Sequence, residues 1–235
     1  MRFEAKIPFA GLTGRGVRVA IIDSGVNPAH PHVAGVAGGV HINADGEAEN
    51  YLDYIGHGTA VAGAIREKAP GASLYAIKVF DQLLRTNAET IIRAIDWAIE
   101  NEIDVVNLSL GTVNEARRER FEQVVARAAE RNVVLVAARE MNGQRSLPGC
   151  LPSVIGVTLD WECPRETYRY MMSDSRPLFC ASGYPRSIPG VAPERNLSGI
   201  SFAVASITGF VTRAKEAFLN ASSEELERVL IEACA

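Results

Sequence analysis

A chain of 235 residues, 47% hydrophobic and 22% charged, is long enough for one globular domain with a sizeable core. Its net charge is −4 with both signs mixed along the sequence, which argues against nucleic acid or a membrane surface as partner. No run approaches the roughly 20 apolar residues that span a bilayer. The first nine residues lack an apolar core of signal-peptide length, so the chain reads as cytoplasmic. Cys150, Cys163, Cys180 and Cys234 are scattered without zinc-type spacing and read as buried or partly exposed thiols.

Taken in order, strand-length apolar runs alternate with helical patterns, the signature of an α/β fold with a parallel sheet. Residues 17–22 read as a buried strand that ends on Asp23. Asp45, Glu47, Glu49 and Asp53 then fall in a polar loop, read as solvated rather than cation-binding. His30, His32 and His41 have no matching carboxylates or thiols and read as surface histidines. Residues 57–67 read as a helix with small residues on its inner face, and 74–80 as a strand. Ile91, Ile92, Ile95, Ala98 and Ile99 give residues 88–100 helical spacing. A strand at 105–110 precedes an amphipathic helix at 114–131, with Asn114 as its cap. Arg117, Arg118 and Arg120 have acids nearby and read as a solvated face of that helix. Strands at 133–138 and 154–158 follow. Residues 168–193, rich in Pro, Ser and Gly, read as β-hairpins and loops near the active face. A long, mostly apolar helix at 201–219 reads as central and buried. A last amphipathic helix runs to Cys234, opened by a capping box of Ser222 and Glu225.

Three segments carry chemistry. Residues 19–25, VAIIDSG, end a strand on the carboxylate of Asp23. Residues 56–63, GHGTAVAG, open a helix on the imidazole of His57. Residues 196–203, NLSGISFA, place Ser201 after a glycine turn at the mouth of a helix, where a hydroxyl is exposed in the positive field of the N-terminus. Each has a plain alternative: a turn former, a helix cap and an N-cap. Together, in the order Asp, His, Ser, they make a nucleophile, a base and a group that orients the base. No glycine-rich phosphate loop follows the first strand, which weighs against a nucleotide site.

These segments resemble the signature blocks of the subtilisin-like serine proteases. Residues 11–17, 105–111 and 151–157 resemble further blocks of that family, so the likeness runs from about Gly11 to Gly209. The resemblance implies a three-layer αβα fold with a mostly parallel central sheet, one peptidase domain over 1–235 and an N-terminal arm over 1–10. It implies that Asp23, His57 and Ser201 hydrolyse a peptide bond through an acyl-enzyme, a mechanism needing no metal and no organic cofactor. Ser109, Leu110 and Gly111 match the family element that pairs with an extended peptide. Residues 6–9, KIPF, faintly resemble a short inhibitory plug of intracellular members; a plain arm is the simpler reading. The segment 26–56 is short for the family, and the acidic loop that often holds calcium has no clear counterpart.

Two departures stand out. The family places an asparagine, which donates to the oxyanion, after the strand represented here by 133–138. An ungapped match puts Met141 there; a one-residue bulge would instead bring in Asn142 as the oxyanion donor. Arg139 and Glu140 fall where the family has small residues bordering the specificity pocket, and are expected to pair and narrow it or to select a charged side chain. Around the nucleophile, Ile200 replaces a threonine, and Val204, Ala205 and Ser206 lack the family's Pro-His pair. The expected partner is a dedicated peptide or protein substrate, for which removal of a precursor leader is one role suited to so small an architecture. The alternative is a weak or inactive peptide-binding module, against which the intact Asp, His and Ser weigh.

Overall fold

The computed structural model describes residues 7–80 and 85–234. Eleven strands are described: β1 (Arg18–Asp23), β2 (Gly38–Asn43), β3 (Gly46–Ala48), β4 (Ser73–Lys78), β5 (Val105–Leu108), β6 (Val134–Ala138), β7 (Glu140–Met141), β8 (Gln144–Arg145), β9 (Val154–Leu159), β10 (Arg169–Ser173) and β11 (Arg176–Ala181). The helices are α1 (His57–Lys68), α2 (Ala88–Glu100), α3 (Arg118–Glu130), α4 (Ile200–Ala217) and α5 (Ser223–Cys234). Nine strands form one sheet in the order β10-β11-β9-β6-β5-β1-β4-β2-β3, parallel except at the two edge hairpins; β7 and β8 pair separately.

Both faces of the sheet are covered, and the side chains show it. Within β1, Val19 and Ile21 belong to the core shared with α1, α4 and α5, while Ala20 and Ile22 belong to the core shared with α2 and α3. A strand buried on both faces reads as an unbroken apolar run, which is why VAIID was legible as a parallel core strand. The three-layer αβα architecture expected from the sequence is the one found.

On one face, α1 and α4 approach closely at Gly209, where a Cβ would lie 2.4 Å from the Lys68 Cβ. Ser222 and Glu225 form the expected capping box, with Ser222 N–H donating to Glu225 Oε2 at 2.8 Å and Glu225 N–H to Ser222 Oγ at 3.2 Å. Asn114 caps a 3-10 turn (Glu115–Arg117), accepting from Ala116 N–H at 3.1 Å, and α3 proper begins after it. The irregular region supplies one hairpin, β10–β11, at the sheet edge, followed by loops.

Of the arm, residues 1–6 lie outside the described residues. Phe9 packs on the α1–α4 core, and Pro8 O accepts from Arg213 Nη1 at 3.4 Å. Arg213 is about 18 Å along α4 from Ser201 at the usual helical rise, so this part of the arm sits away from the candidate nucleophile. Among the described residues, no helix is long and apolar enough to cross a membrane.

Candidate active site

The connections around β1 pass to opposite sides of the sheet: α1 packs on one face, and α2, between β4 and β5, on the other. Crevices at strand ends of this kind are where α/β folds place ligands. Asp23, the last residue of β1, is 1% exposed there. Its Oδ1 accepts from Ser24 N–H and from His57 Nδ1, each at 2.7 Å. A carboxylate only accepts, so the shared proton belongs to Nδ1 and leaves Nε2 as the free base.

His57 is the first residue of α1. Gly56 ahead of it has φ 91°, a left-handed conformation that glycine adopts without a steric penalty. Gly58 lets the helix approach the β1 turn, since a Cβ there would lie 2.1 Å from Gly25 O. The imidazole rests 5.8 Å from the Phe202 ring, centroid to centroid. Burial pushes its pKa down, but the hydrogen bond and charge of Asp23 and the charge of Asp53 outweigh burial, so His57 titrates above the ordinary histidine value.

Ser201 is the second residue of α4, after Gly199 at φ 143°. Its Oγ donates to Ser109 O at 3.5 Å, and Ser109 Oγ donates to Ser201 O at 3.4 Å. Among the described contacts no hydrogen bond joins Ser201 to His57, although both line one cleft. That cleft is about 620 Å³ and is bordered by Asp23, His57, Ser109, Leu110, Gly111, Met141 and Ser201, with further residues at its far end.

Six of the residues singled out from sequence are therefore gathered together, and three are not. Arg139 is buried and turned away from the cleft, donating to Asp174 Oδ2 at 2.7 Å and Ser173 O at 3.3 Å. It does not pair with Glu140, which is exposed on β7. The Asn-Gly pair 142–143 forms the tip of the β7–β8 hairpin, both residues having positive φ, as hairpin turns of this composition do. That tip exposes Asn142 and leaves Met141 on the cleft wall, so no bulge brings the Asn142 amide to the cleft.

Two supporting groups escaped the sequence reading. Asp53 belongs to no solvated acidic cluster: its Oδ1 accepts from Ile55 N–H at 2.9 Å and Gly56 N–H at 2.8 Å, and its Oδ2 from Thr59 N–H at 2.8 Å and Thr59 Oγ1 at 2.6 Å. Burial opposes its ionisation, but these bonds prevail and hold the carboxyl below its usual pKa. They satisfy donors that the first turn of α1 leaves without intrahelical acceptors. The signal was an acid four residues before His57, at the approach to a helix start. The second is a buried chain in which Thr208 Oγ1 donates to Asn107 Oδ1 at 3.0 Å and Asn107 Nδ2 to Ser109 Oγ at 2.9 Å. Among the described residues, no three His, Cys, Asp or Glu side chains gather as a metal-binding group.

A family model described as the subtilase family matches residues 14–234. The chain is 32% identical over 213 residues to subtilisin E of Bacillus subtilis (strain 168), covering 86% of this chain and 54% of that protein. It is 37% identical over 161 residues to the minor extracellular protease Epr of the same organism, covering 63% of this chain and 24% of the other. An intracellular serine protease of Paenibacillus polymyxa is 32% identical over 232 residues, covering 90% and 70%. The chain thus spans about a quarter to about half the length of the first two relatives. In fold, it is similar to the crystal structure of a cold adapted subtilisin-like serine proteinase, with TM-score 0.73, 22% identity, and coverage of 95% of this chain and 84% of that one.

Proposed function

We propose, because this chain belongs to the subtilase family, that it is a serine endopeptidase acting on a peptide or protein through Asp23, His57 and Ser201. The observation that carries this reading is the 2.7 Å contact of His57 with Asp23 on a cleft that Ser201 also lines.

A serine hydroxyl is a poor nucleophile until a base takes its proton. Rotation of the Ser201 hydroxyl from the Ser109 carbonyl toward His57 Nε2 sets up the attack. As Oγ bonds to the substrate carbonyl carbon, its proton passes to Nε2 and the carbonyl oxygen becomes an oxyanion. Asp23 stabilises the imidazolium, which then gives the proton to the departing amine. Water, deprotonated by the same Nε2, cleaves the acyl-enzyme and regenerates Ser201. The Ser201 N–H lies in the first turn of α4, without an intrahelical acceptor, and serves the oxyanion. Ser109, Leu110 and Gly111 pair with the substrate backbone.

A dedicated substrate, such as a precursor peptide with a leader, is the finer part of this reading. The similarity to an intracellular serine protease supports a cytoplasmic setting. Met141 on the cleft wall favours slow turnover, and taken to its limit it favours a peptide-binding module. Intact-mass labelling with a fluorophosphonate decides between them. The expected result is one adduct on the native chain and none on Ser201→Ala or His57→Ala. An unlabelled native protein would remove the enzyme reading.

A further inference from the structure

Two arginines in the cleft are unused by the reaction above. Arg85, just ahead of α2, and Arg117, closing the 3-10 turn before α3, line the same cleft as His57 and Ser201, and both are exposed. The acids beside them are already engaged. Glu115 is held by Arg118 through Nε at 2.6 Å and Nη2 at 3.0 Å, and Glu89 accepts Arg120 Nη2 at 2.9 Å on each oxygen. Arg85 and Arg117 have no ion pair among the described residues. Among the described residues, the other ionisable groups on the cleft are His57 and Asp23, and Asp23 is buried against His57. Among the described residues, the lining thus holds two cations without an ion pair, beside the apolar side chains of Phe80, Ile91 and Leu110. A cleft with one sign of charge and low-dielectric walls focuses its field on whatever enters.

We propose that this cleft selects peptides bearing carboxylates on the segment that lies against Ser109–Gly111, with Arg85 and Arg117 as the residues that read them. Pairing with the strand end gives affinity that depends little on sequence, while charge-assisted guanidinium–carboxylate bonds supply the preference. The same field disfavours a lysine-rich segment, so selection works by rejection as well as attraction. Arg117 thus differs in role from Arg118 and Arg120, beside which it stands in sequence. The inference rests on the peptidase reading for the class of ligand, and its test does not depend on turnover.

Fluorescein-labelled peptides of about ten residues, one with a central run of glutamates and one with glutamines in their place, are titrated against the Ser201→Ala protein. The glutamate peptide is expected to bind about tenfold tighter at low ionic strength, with the gap closing as NaCl rises. The preference is expected to fall within about twofold in Arg85→Gln/Arg117→Gln and to survive Arg117→Lys. Both sites are exposed, and a melting curve by circular dichroism checks the variants' fold. Equal affinity for the two peptides, a preference that outlives the double variant, or no binding of either peptide overturns the proposal. Incubation of the native protein with the glutamate peptide is scored separately by mass: preference without cleavage removes the peptidase reading and leaves this one standing.

Discussion

Ser24 and Asp53 are joined by a hydrogen bond of 2.9 Å from the Ser24 hydroxyl to Asp53 Oδ1, and Ser24 Oγ in turn accepts Gly58 N–H at 2.9 Å. The turn after β1, which carries Asp23, is thereby tied to the start of α1, which carries His57.

Asp53→Asn tests that tie. Asp53 helps to raise the His57 pKa through its charge, so neutralising it lowers that pKa. The acid limb of the pH–kcat/KM profile is expected to move to lower pH, and the plateau to drop about tenfold as the turn loosens. A profile that falls in height without moving would leave Asp53 a purely structural role. The depressed carboxyl also links to stability. Its contribution is complete above the ordinary carboxylate pKa of about 4 and is lost as pH falls through the lower folded value.

In the proposed mechanism, His57 must be neutral to accept the Ser201 proton. With its pKa raised, the acid limb for the native protein is expected above the value of about 6.5 typical of free histidine. Asp23→Asn, which disrupts the tautomer, is expected to reduce kcat by about 10⁴-fold with the fold intact. A loss below tenfold would mean that Asp23 does not orient the base.

The β7–β8 hairpin gives opposite expectations for neighbouring residues. Asn142→Ala, at the exposed tip, is expected to leave kcat within about twofold. Met141→Asn, on the cleft wall, is expected to raise kcat about tenfold or more, toward the 10²–10³ that one oxyanion donor supplies. Steady-state rates on one fluorogenic peptide compare them, and a large loss in Asn142→Ala would restore that residue as the donor.

Thr208→Val keeps the shape of a fully buried side chain but leaves Asn107 Oδ1 without its donor. A stability loss of about 1–3 kcal/mol is expected from urea unfolding. An unchanged midpoint would mean that the chain through Asn107 is not stabilising.

The order of helices and core strands was legible because periodicity reports burial. Residues 88–100 match α2 at both ends, and β1 falls within one residue of its expected span. Strands β2 and β3 were not read: Gly38 and Gly39 offer little strand signal, and the pairing of His41 with Ala48 depends on tertiary context. Asp23, His57 and Ser201, which the fold brings to one cleft, stood out because each is at a junction of elements marked by glycine. Arg139 was misread because its partner, Asp174, lies 35 residues away on another hairpin. Arg117 was grouped with its neighbours, although only the fold divides a charge run into paired and unpaired members.

The two hydrogen bonds between Ser109 and Ser201 join the strand end proposed to pair with substrate to the helix start that carries the candidate nucleophile. In the proposed pairing, a peptide that extends the strand end at Ser109 bears on the first turn of the helix that carries Ser201. Short substrates that miss that strand end should therefore turn over slowly even at saturation, because binding outside the scissile bond helps to set the alignment of Ser201.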